Sequence, residues 1–321
     1  MIDITNRRYI GSKKRLIQYI KKIVNNECKN VNTIADIFCG IGNIANAFNS
    51  THKLIVNDIL YSNYITYDCF FSNSDYDMDY IKEMIDYYNA LEGYTNYFSQ
   101  YGDGKYFTKY NADKIGVIRE EINKENGRNK NILLTSLLYA ADKVANTSGI
   151  YEAYLKKIQT NAKNNILLEY PNINDEFNVD NEIYNMDSNK LVKQINPDLV
   201  YIDPPYNNRQ YGTNYHVLEN LAVWNKPELF GKTIRHKDNV KSDYSSKPKA
   251  KKAFEELIYN INSKYILVSY SNAKSNIIKY DEIINIMGDN LKVFNVDINS
   301  YKSHKNINEN KIKEFLFIKR K

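Results

Sequence analysis

The chain has 321 residues, enough for one large domain or two smaller ones with a buried core. Its net charge of +6 is compatible with a polyanionic partner, and basic residues concentrate in segments 7–15, 232–252 and 302–321. The three cysteines have neither disulfide nor metal-ligand spacing, and no apolar run has the length of a membrane span or the context of a signal peptide. These features exclude secreted disulfide scaffolds and membrane proteins, and they predict a soluble, cytoplasmic protein without a metal.

Short apolar runs that stop at turn residues predict the strands of a sheet. The predicted strands span residues 34–38, 53–56, 182–186, 199–202 and 265–269, and residues 291–298 and 314–318 are expected to form a terminal hairpin. A glycine-containing turn and a helical stretch through Phe48 follow the first strand. Strands that alternate with helical segments are typical of a mostly parallel α/β sheet covered by helices on both faces.

Residues 61–177 interrupt this alternation. The segment is rich in Tyr, Asn and Lys, shows helical periodicity at 130–146 and 151–161, and contains no clear strand. Because it is too long for a crossover connection, we predict an inserted, largely helical subdomain between residues 1–60 and 178–321. Further along the chain, residues 216–224 are predicted to form an amphipathic helix and residues 241–252 a mobile loop.

The sequence ADIFCGIGN predicts a ligand site at the end of the first strand. Asp36 ends that strand, and Gly40 and Gly42 form a turn at which the backbone can approach a ligand closely. Asp58 ends the next strand, where nucleoside-binding sheets hold ribose hydroxyls with a carboxylate. Because the pattern GxGxxG is absent, a nucleoside without a pyrophosphate, such as S-adenosylmethionine, fits better than NAD. A turn that merely links strand and helix is the alternative interpretation.

A second site is predicted by the sequence LVYIDPPYNNRQYG at residues 199–212. An apolar strand here runs into two adjacent prolines, which donate no backbone hydrogen bonds and restrict the chain. Asp203 and Tyr206 are therefore expected on a rigid turn at the carboxyl end of a strand, where open α/β sheets bind ligands.

Four motifs occur in one order along the chain: RYIGSKKRL near the start, DIFCGIG, ND, and DPPY after the long insert. In this order they resemble the D12-class (α-group) N6-adenine DNA methyltransferases of bacterial restriction–modification systems, the group that includes Dam-like enzymes. The longer string DPPYNNRQYGTNYHVLENLA also resembles methylases that accompany type IIS endonucleases. The resemblance implies a Rossmann-like, S-adenosylmethionine-dependent methyltransferase sheet, with residues 61–177 in the place of the target-recognition domain.

The resemblance also assigns roles to individual residues. It implies cofactor binding by Tyr9, Gly11 and Lys13 in the first motif, by Asp36, Phe38, Gly40 and Gly42 around the methionine and ribose, by Asp58 at the ribose hydroxyls, by Asp187 near the adenine amino group, and by Asp203. It implies catalytic roles for Asp203, Pro204, Pro205 and Tyr206. For Asp187, an ordinary capping or strand-end aspartate is the alternative interpretation.

The proline turn suits the chemistry that the resemblance implies. The N6 atom of adenine is a weak nucleophile because its lone pair is delocalised into the ring. The Asp203 carboxylate and the Pro204 carbonyl are predicted to accept its two hydrogens, so that the nitrogen directs its lone pair at the sulfonium methyl. Transfer is then a direct in-line displacement without a covalent enzyme intermediate or a metal. Tyr206 is predicted to stack on the flipped-out base.

The residues after the turn are expected to complete the base pocket and the DNA contacts. Tyr211 and Tyr215 are candidates for lining the pocket, and Arg209 for contacting a phosphate or remaining solvated. His216 is interpreted as a helix-start residue satisfied by hydrogen bonds. Near the C-terminus, the candidates for contacts with the DNA backbone are Lys302, Lys305 and Lys311.

The predicted function is a sequence-specific DNA adenine-N6 methyltransferase that acts on double-stranded DNA at the nucleoid, with a cognate restriction endonuclease as its functional partner. Three alternatives stay open: an RNA adenine-N6 methyltransferase, a non-catalytic specific DNA-binding protein and a protein-glutamine methyltransferase. The long insert favours duplex DNA over single-stranded RNA. The intact proline turn and cofactor motifs disfavour a non-catalytic protein, and the glutamine methyltransferases usually have Asn in place of Asp203.

Overall fold

A computed structural model describes residues 1–298 and 312–321 of the protein. Within these residues, seven strands form one sheet in the order β3-β2-β1-β4-β5-β7-β6. The strands are β1 (Thr33–Asp36), β2 (Lys53–Asn57), β3 (Glu182–Tyr184), β4 (Leu199–Ile202), β5 (Tyr265–Ser271), β6 (Leu291–Ile298) and β7 (Ile312–Arg320). Strands β1 to β5 pair in parallel, and β7 pairs antiparallel with both β5 and β6. The predicted α/β class and the terminal hairpin are confirmed, with some strand ends shifted by one or two residues.

The α-helices of the described residues lie before β1, between the strands and in the insert. They are α1 (Ile17–Glu27), α2 (Asn43–Phe48), α3 (Tyr61–Phe71), α4 (Met78–Ala90), α5 (Lys109–Ile122), α6 (Gly127–Val144), α7 (Ser188–Leu191), α8 (Tyr211–Asn214), α9 (His216–Val223), α10 (Ala250–Asn260) and α11 (Tyr280–Met287). None of these helices is both long enough and apolar enough to cross a membrane.

The sheet carries an apolar cluster on each face because side chains alternate along its strands. In β1, Ile34 belongs to one cluster and Ala35 to the other. Helices α4, α5 and α6 of the insert bury Ile81, Ile118 and Leu137 in the same cluster as Ile34. The insert therefore shares a continuous core with one face of the sheet. Its role as a target-recognition domain stays a prediction.

The predicted helix at residues 151–161 is wrong. The backbone of this segment bonds to distant parts of the chain instead of forming helical hydrogen bonds. The amide of Tyr151 donates to the carbonyl of Asn214 at 2.6 Å, and the amide of Leu155 donates to the carbonyl of Asn146 at 3.0 Å. The helix predicted at 216–224 is present as α9, but it is not amphipathic. Seven of its eight residues are buried because it packs against α3 and α6.

The predicted mobile loop at residues 241–252 is anchored at two points. Tyr244 and Ala250 are buried, and α10 begins at Ala250. A loop prediction therefore holds only as far as Lys249. The lysines predicted to contact DNA at 302, 305 and 311 lie outside the described residues.

Candidate active site

The carboxyl ends of β1, β2 and β4 meet at one edge of the sheet, because these three strands are parallel neighbours. Asp36, Asp58 and Asp203 lie at or just beyond those ends. Strand order reverses between β1 and β4, and such a reversal opens a crevice at this edge. A cavity of about 1100 Å³, which includes space open to solvent, occupies the crevice.

The glycine turn between β1 and α2 requires left-handed backbone. Gly40 has φ of +57°, and a Cβ added to it would lie 2.9 Å from the ring of Tyr9. Gly42 has φ of +79°, and a Cβ there would lie 2.6 Å from Ile4. Gly40 lines the cavity, whereas Gly42 packs the turn against the N-terminal segment and does not line it. For Gly42 the structure therefore indicates a packing role instead of the predicted pocket-shaping one.

Asp36 and Asp58 differ in how their oxygens are used. Asp58 accepts hydrogen bonds from the amides of Gly40 at 3.0 Å and Leu60 at 2.8 Å. Burial raises the pKa of its carboxyl to about 6. The Oδ1 atom of Asp36 is buried without a hydrogen-bond partner, as is Oδ1 of Asn43, another residue that lines the cavity. Burial and then the charge of Asp203 raise the pKa of Asp36 to about 8. These oxygens can accept hydrogen bonds from a ligand that carries donors.

A second part of the cavity is bounded by aromatic rings. Phe38 meets Tyr244 edge to face, with ring centroids 4.9 Å apart. Asp187 lines the cavity beside Ser188, and its carboxylate also accepts a hydrogen bond from the amide of Lys190 at 3.2 Å, at the start of α7. Asp187 is therefore both a helix cap and a cavity residue. Tyr244 had no distinguishing signal in the sequence.

The N-terminal segment connects the glycine turn to the proline turn. Tyr9 lies against Gly40, and Gly11 lines the cavity with φ of +77°. Lys13 is buried, and its Nζ atom lies 3.1 Å from Oδ1 of Asp203 and 2.7 Å from the hydroxyl of Tyr206. Burial acts to lower the pKa of Lys13, but Asp203 and Glu314 outweigh it, so the pKa is raised.

The side chain of Tyr206 is turned into the protein. Its hydroxyl lies within hydrogen-bond distance of the Asp203 carboxylate, of the Ser269 carbonyl at 3.1 Å and of Glu314 at 2.9 Å. Its ring lies 4.4 Å from that of Tyr270, between centroids, and Nζ of Lys13 lies 4.7 Å from the ring centre. The side chain of Tyr206 is nevertheless partly exposed and lines the cavity. Burial raises the pKa of Asp203, the charge of Lys13 lowers it, and the charge of Glu314 raises it again. The resulting pKa is about 6.

The tyrosines after the turn form a stack with Tyr9. Tyr211 lines the cavity, as predicted. Tyr215 is fully buried and stacks on Tyr9 with centroids 4.6 Å apart, so it supports the pocket wall from behind instead of lining it. The ring nitrogens of His216 lie 2.9 and 3.1 Å from the carbonyls of Thr213 and Thr233. Its interpretation as a hydrogen-bonded structural residue agrees with this geometry.

Comparison with known proteins agrees with this layout. A family model described as D12 class N6 adenine-specific DNA methyltransferase matches residues 9–286.

The chain belongs to this family.

Relatives of the chain include several modification methylases. The modification methylase StsI of Streptococcus sanguinis is 36% identical over 97% of this chain and 51% of its own length. The type II methyltransferase M.FokI of Planomicrobium okeanokoites is 31% identical over 97% of this chain and 52% of its own length. The type II methyltransferase M.NlaIII of Neisseria lactamica is 33% identical over 82% of this chain and 83% of its own length. The chain thus spans about half the length of the first two relatives.

In this D12-class chain, the cavity collects the predicted site residues from segments that are far apart in the sequence. Apart from Gly42, all of them line it: Tyr9, Gly11, Lys13, Asp36, Phe38, Gly40, Asp58, Asp187, Asp203, Pro204, Pro205 and Tyr206. That they bind a cofactor or act in catalysis stays a prediction. The sequence analysis did not identify Glu314, which directly precedes the apolar run FLFI at residues 315–318. Within the described residues, no cluster of His, Cys, Asp or Glu side chains is arranged to hold a metal.

Proposed function

We propose that the chain is a sequence-specific DNA adenine-N6 methyltransferase that modifies an adenine flipped out of duplex DNA. We further propose that it serves in the cytoplasm, at the nucleoid, as the modification enzyme of a restriction–modification system with a cognate endonuclease. The observation that carries the proposal is the position of the Asp203-Pro204-Pro205-Tyr206 turn. It borders the same cavity as the nucleoside-type acids Asp36 and Asp58.

The chemistry of the cavity supports S-adenosylmethionine as the cofactor. Oδ1 of Asp36 is a buried acceptor without a partner, which fits the ammonium of a methionine group. Asp58 is held by two backbone amides and keeps lone pairs for ribose hydroxyls. Phe38 and Tyr244 offer aromatic surface to an adenine. When bound, S-adenosylmethionine supplies an electrophilic methyl group on a positively charged sulfur.

The residues of the proline turn orient the nucleophile. The hydrogen bond from Tyr206 and the ion pair with Lys13 both use Oδ1 of Asp203, so Oδ2 is the oxygen that remains for the adenine amine. The carbonyl of Pro204 accepts the second N6 hydrogen. The nitrogen lone pair would then face the methyl group that bound S-adenosylmethionine would supply, and Asp203 would accept the N6 proton that the amine loses on methylation.

We propose that the flipped base stacks on Tyr206, whose side chain is partly exposed and lines the cavity. The ring of Tyr270 is tilted by 48° to that of Tyr206 and covers one face at most. Base–aromatic stacking contributes roughly 1–3 kcal/mol per base.

Target recognition is proposed for the part of the insert that lies beside the turn, residues 149–165, here called the recognition segment. Residues 156–161 within it are all exposed and include lysine, glutamine, threonine and asparagine, which hydrogen-bond to DNA. Glu152 ties the segment to the turn through an ion pair with Arg209 at 3.6 Å, and its carbonyl accepts from Arg235 at 3.0 Å. By contrast, α4 to α6 contribute to the buried core.

Methyl transfer from tritiated S-adenosylmethionine to duplex DNA, RNA and protein, measured in parallel, tests the proposed function. We expect label in duplex DNA alone, recovered as N6-methyladenine within one sequence context. Label in RNA or in protein glutamine would support the corresponding alternative enzymes. Specific DNA binding without transfer to any of the three substrates would indicate a non-catalytic protein.

A further inference from the structure

Glu314 is a buried carboxylate to which no role has been assigned. It lies on β7 beside β5 and is only 1% exposed. A buried charge is unfavourable unless it is paired and hydrogen-bonded. Its Oε1 atom accepts from the Ser269 hydroxyl at 2.6 Å, and it lies 2.9 Å from the Tyr206 hydroxyl and 3.1 Å from Nζ of Lys13.

Asp203 and Glu314 share two of these partners. Nζ of Lys13 is 3.1 Å from a carboxylate oxygen of each, and the hydroxyl of Tyr206 lies between the same two oxygens. The cluster of two carboxylates and one ammonium carries one net negative charge when both acids are ionised. Asp203 follows the last residue of β4, so hydrogen bonds of the sheet do not orient its side chain. Lys13 and Tyr206 provide that orientation, and Glu314 holds both of them.

We propose that Glu314 is a positioning residue: it fixes Lys13 and Tyr206 around Asp203 and sets the charge that Asp203 experiences. This inference rests on the proposed methyltransferase function. Preorganised acceptors contribute to catalysis because their orientation is fixed before the reaction. A misplacement of about 1 Å can lower a rate by about a hundredfold.

The negative charge of Glu314 has a predictable effect on the pH dependence of methyl transfer. Asp203 accepts a hydrogen bond from adenine best when it is ionised, and Glu314 raises its pKa while Lys13 lowers it. The other titratable groups around Asp203 are Asp36 on β1, Tyr201 on β4, Tyr206 and Tyr211 after the turn, and Tyr270 on β5. A neutral residue at position 314 removes a negative charge, so the pKa of Asp203 falls. The acidic limb of the pH–rate profile then moves to lower pH.

The test compares single-turnover methyl transfer by wild type, Glu314→Gln and Glu314→Asp across the acidic pH range, with folding checked by circular dichroism. For Glu314→Gln we expect a rate at least about tenfold lower on the plateau and an acidic limb shifted down by about 1 pH unit. Glu314→Asp keeps the charge on a shorter side chain. We expect it to lower the plateau rate while leaving the limb at the wild-type pH.

Glu219→Gln is the matched control, because Glu219 is a buried carboxylate that accepts from the amides of Tyr61 and Ser62 and not from the groups around Asp203. The acidic limb of the pH–rate profile of Glu219→Gln should coincide with that of wild type. If the pH–rate profile of Glu314→Gln has the same acidic limb and the same plateau rate as that of wild type, the inference is overturned while the proposed function stands. If Glu314→Gln does not fold, an unchanged plateau rate in Glu314→Asp overturns it instead. No transfer by the wild type would refute the proposed function itself, and this inference with it.

Discussion

We expect Asp36 to couple the binding of S-adenosylmethionine to pH, and its replacement by asparagine tests that coupling. The carboxyl of Asp36 is buried, its Oδ1 atom has no hydrogen-bond partner, and its pKa is about 8. A ligand ammonium placed against it favours the carboxylate. Binding therefore releases a proton, and the affinity for S-adenosylmethionine rises with pH below about 8.

The size of the expected pH effect on the affinity for S-adenosylmethionine follows from the pKa of Asp36. Asp36 is almost fully protonated at about pH 6.5 and still mostly protonated at about pH 7.5, so a ligand that requires the carboxylate gains about eightfold in affinity across this interval. The interval lies below the pKa of a free α-amino group, about 7.7–8.0, so the ligand remains largely cationic. Asp58 and Asp203, with pKa values of about 6, contribute less in this range.

Isothermal titration calorimetry in two buffers with different ionisation enthalpies measures both the affinity and the number of protons released. We expect nearly one proton released by wild type at pH 7. For Asp36→Asn we expect weaker binding, a nearly flat pH dependence and close to zero protons released. An equal pH slope in wild type and Asp36→Asn would refute the role given to Asp36, as would proton uptake by the wild type.

Three further outcomes are expected. The single-turnover rate of methyl transfer by Asp203→Ala should be at least about a hundredfold lower than that of wild type, while the dissociation constant for S-adenosylmethionine changes only a few-fold. The reason is that Asp203 is proposed to act on the transition state. Near-normal turnover would contradict this. Duplex DNA binding measured by fluorescence anisotropy should weaken steeply with salt, and alanine at five exposed lysines should lower the slope of this salt dependence by at least about 1. An unchanged slope would show that these lysines do not contact the DNA backbone. These lysines are Lys241, Lys247, Lys249, Lys251 and Lys252. Exchange of the recognition segment for that of a related methylase should change the methylated sequence, as read by methylome sequencing, and a folded, active chimera that keeps the original site would exclude this segment as the reader.

The basic residues near the N-terminus show that a cluster of charge in the sequence does not indicate which of those charges are exposed. Segment 7–15 is a cluster of positive charge in the sequence. In the structure, however, Arg7 and Lys13 are buried and Arg8 is paired with Asp142 at 3.2 Å. Composition counts these charges but does not report their partners. Three of the basic residues of this segment are therefore held by the protein itself, whereas Lys14 and Arg15 are exposed.

The sequence alone determined the strands and the turns that follow them. Apolar runs, glycines and prolines act locally, so β4 and the turn at Asp203 are recognisable without any tertiary contact. The same applies to Asp36 and Asp58, which end parallel strands and must therefore share one edge of the sheet. Because motif order and strand ends are local features, the family and most of the cavity-lining residues could be predicted from the sequence.

Only the tertiary structure decided how those residues are held. Glu314 lies 108 residues from Tyr206 in the chain, and only the antiparallel pairing of β7 with β5 brings them together. The hydroxyl of Tyr206 points inward because Lys13, Ser269 and Glu314 lie within hydrogen-bond distance of it. Residues 151–161 are not helical because several of their backbone amides bond to Asn214 and Asn146. Contacts between distant segments override local periodicity, since a hydrogen bond or an ion pair in the core depends on where the fold places its partner.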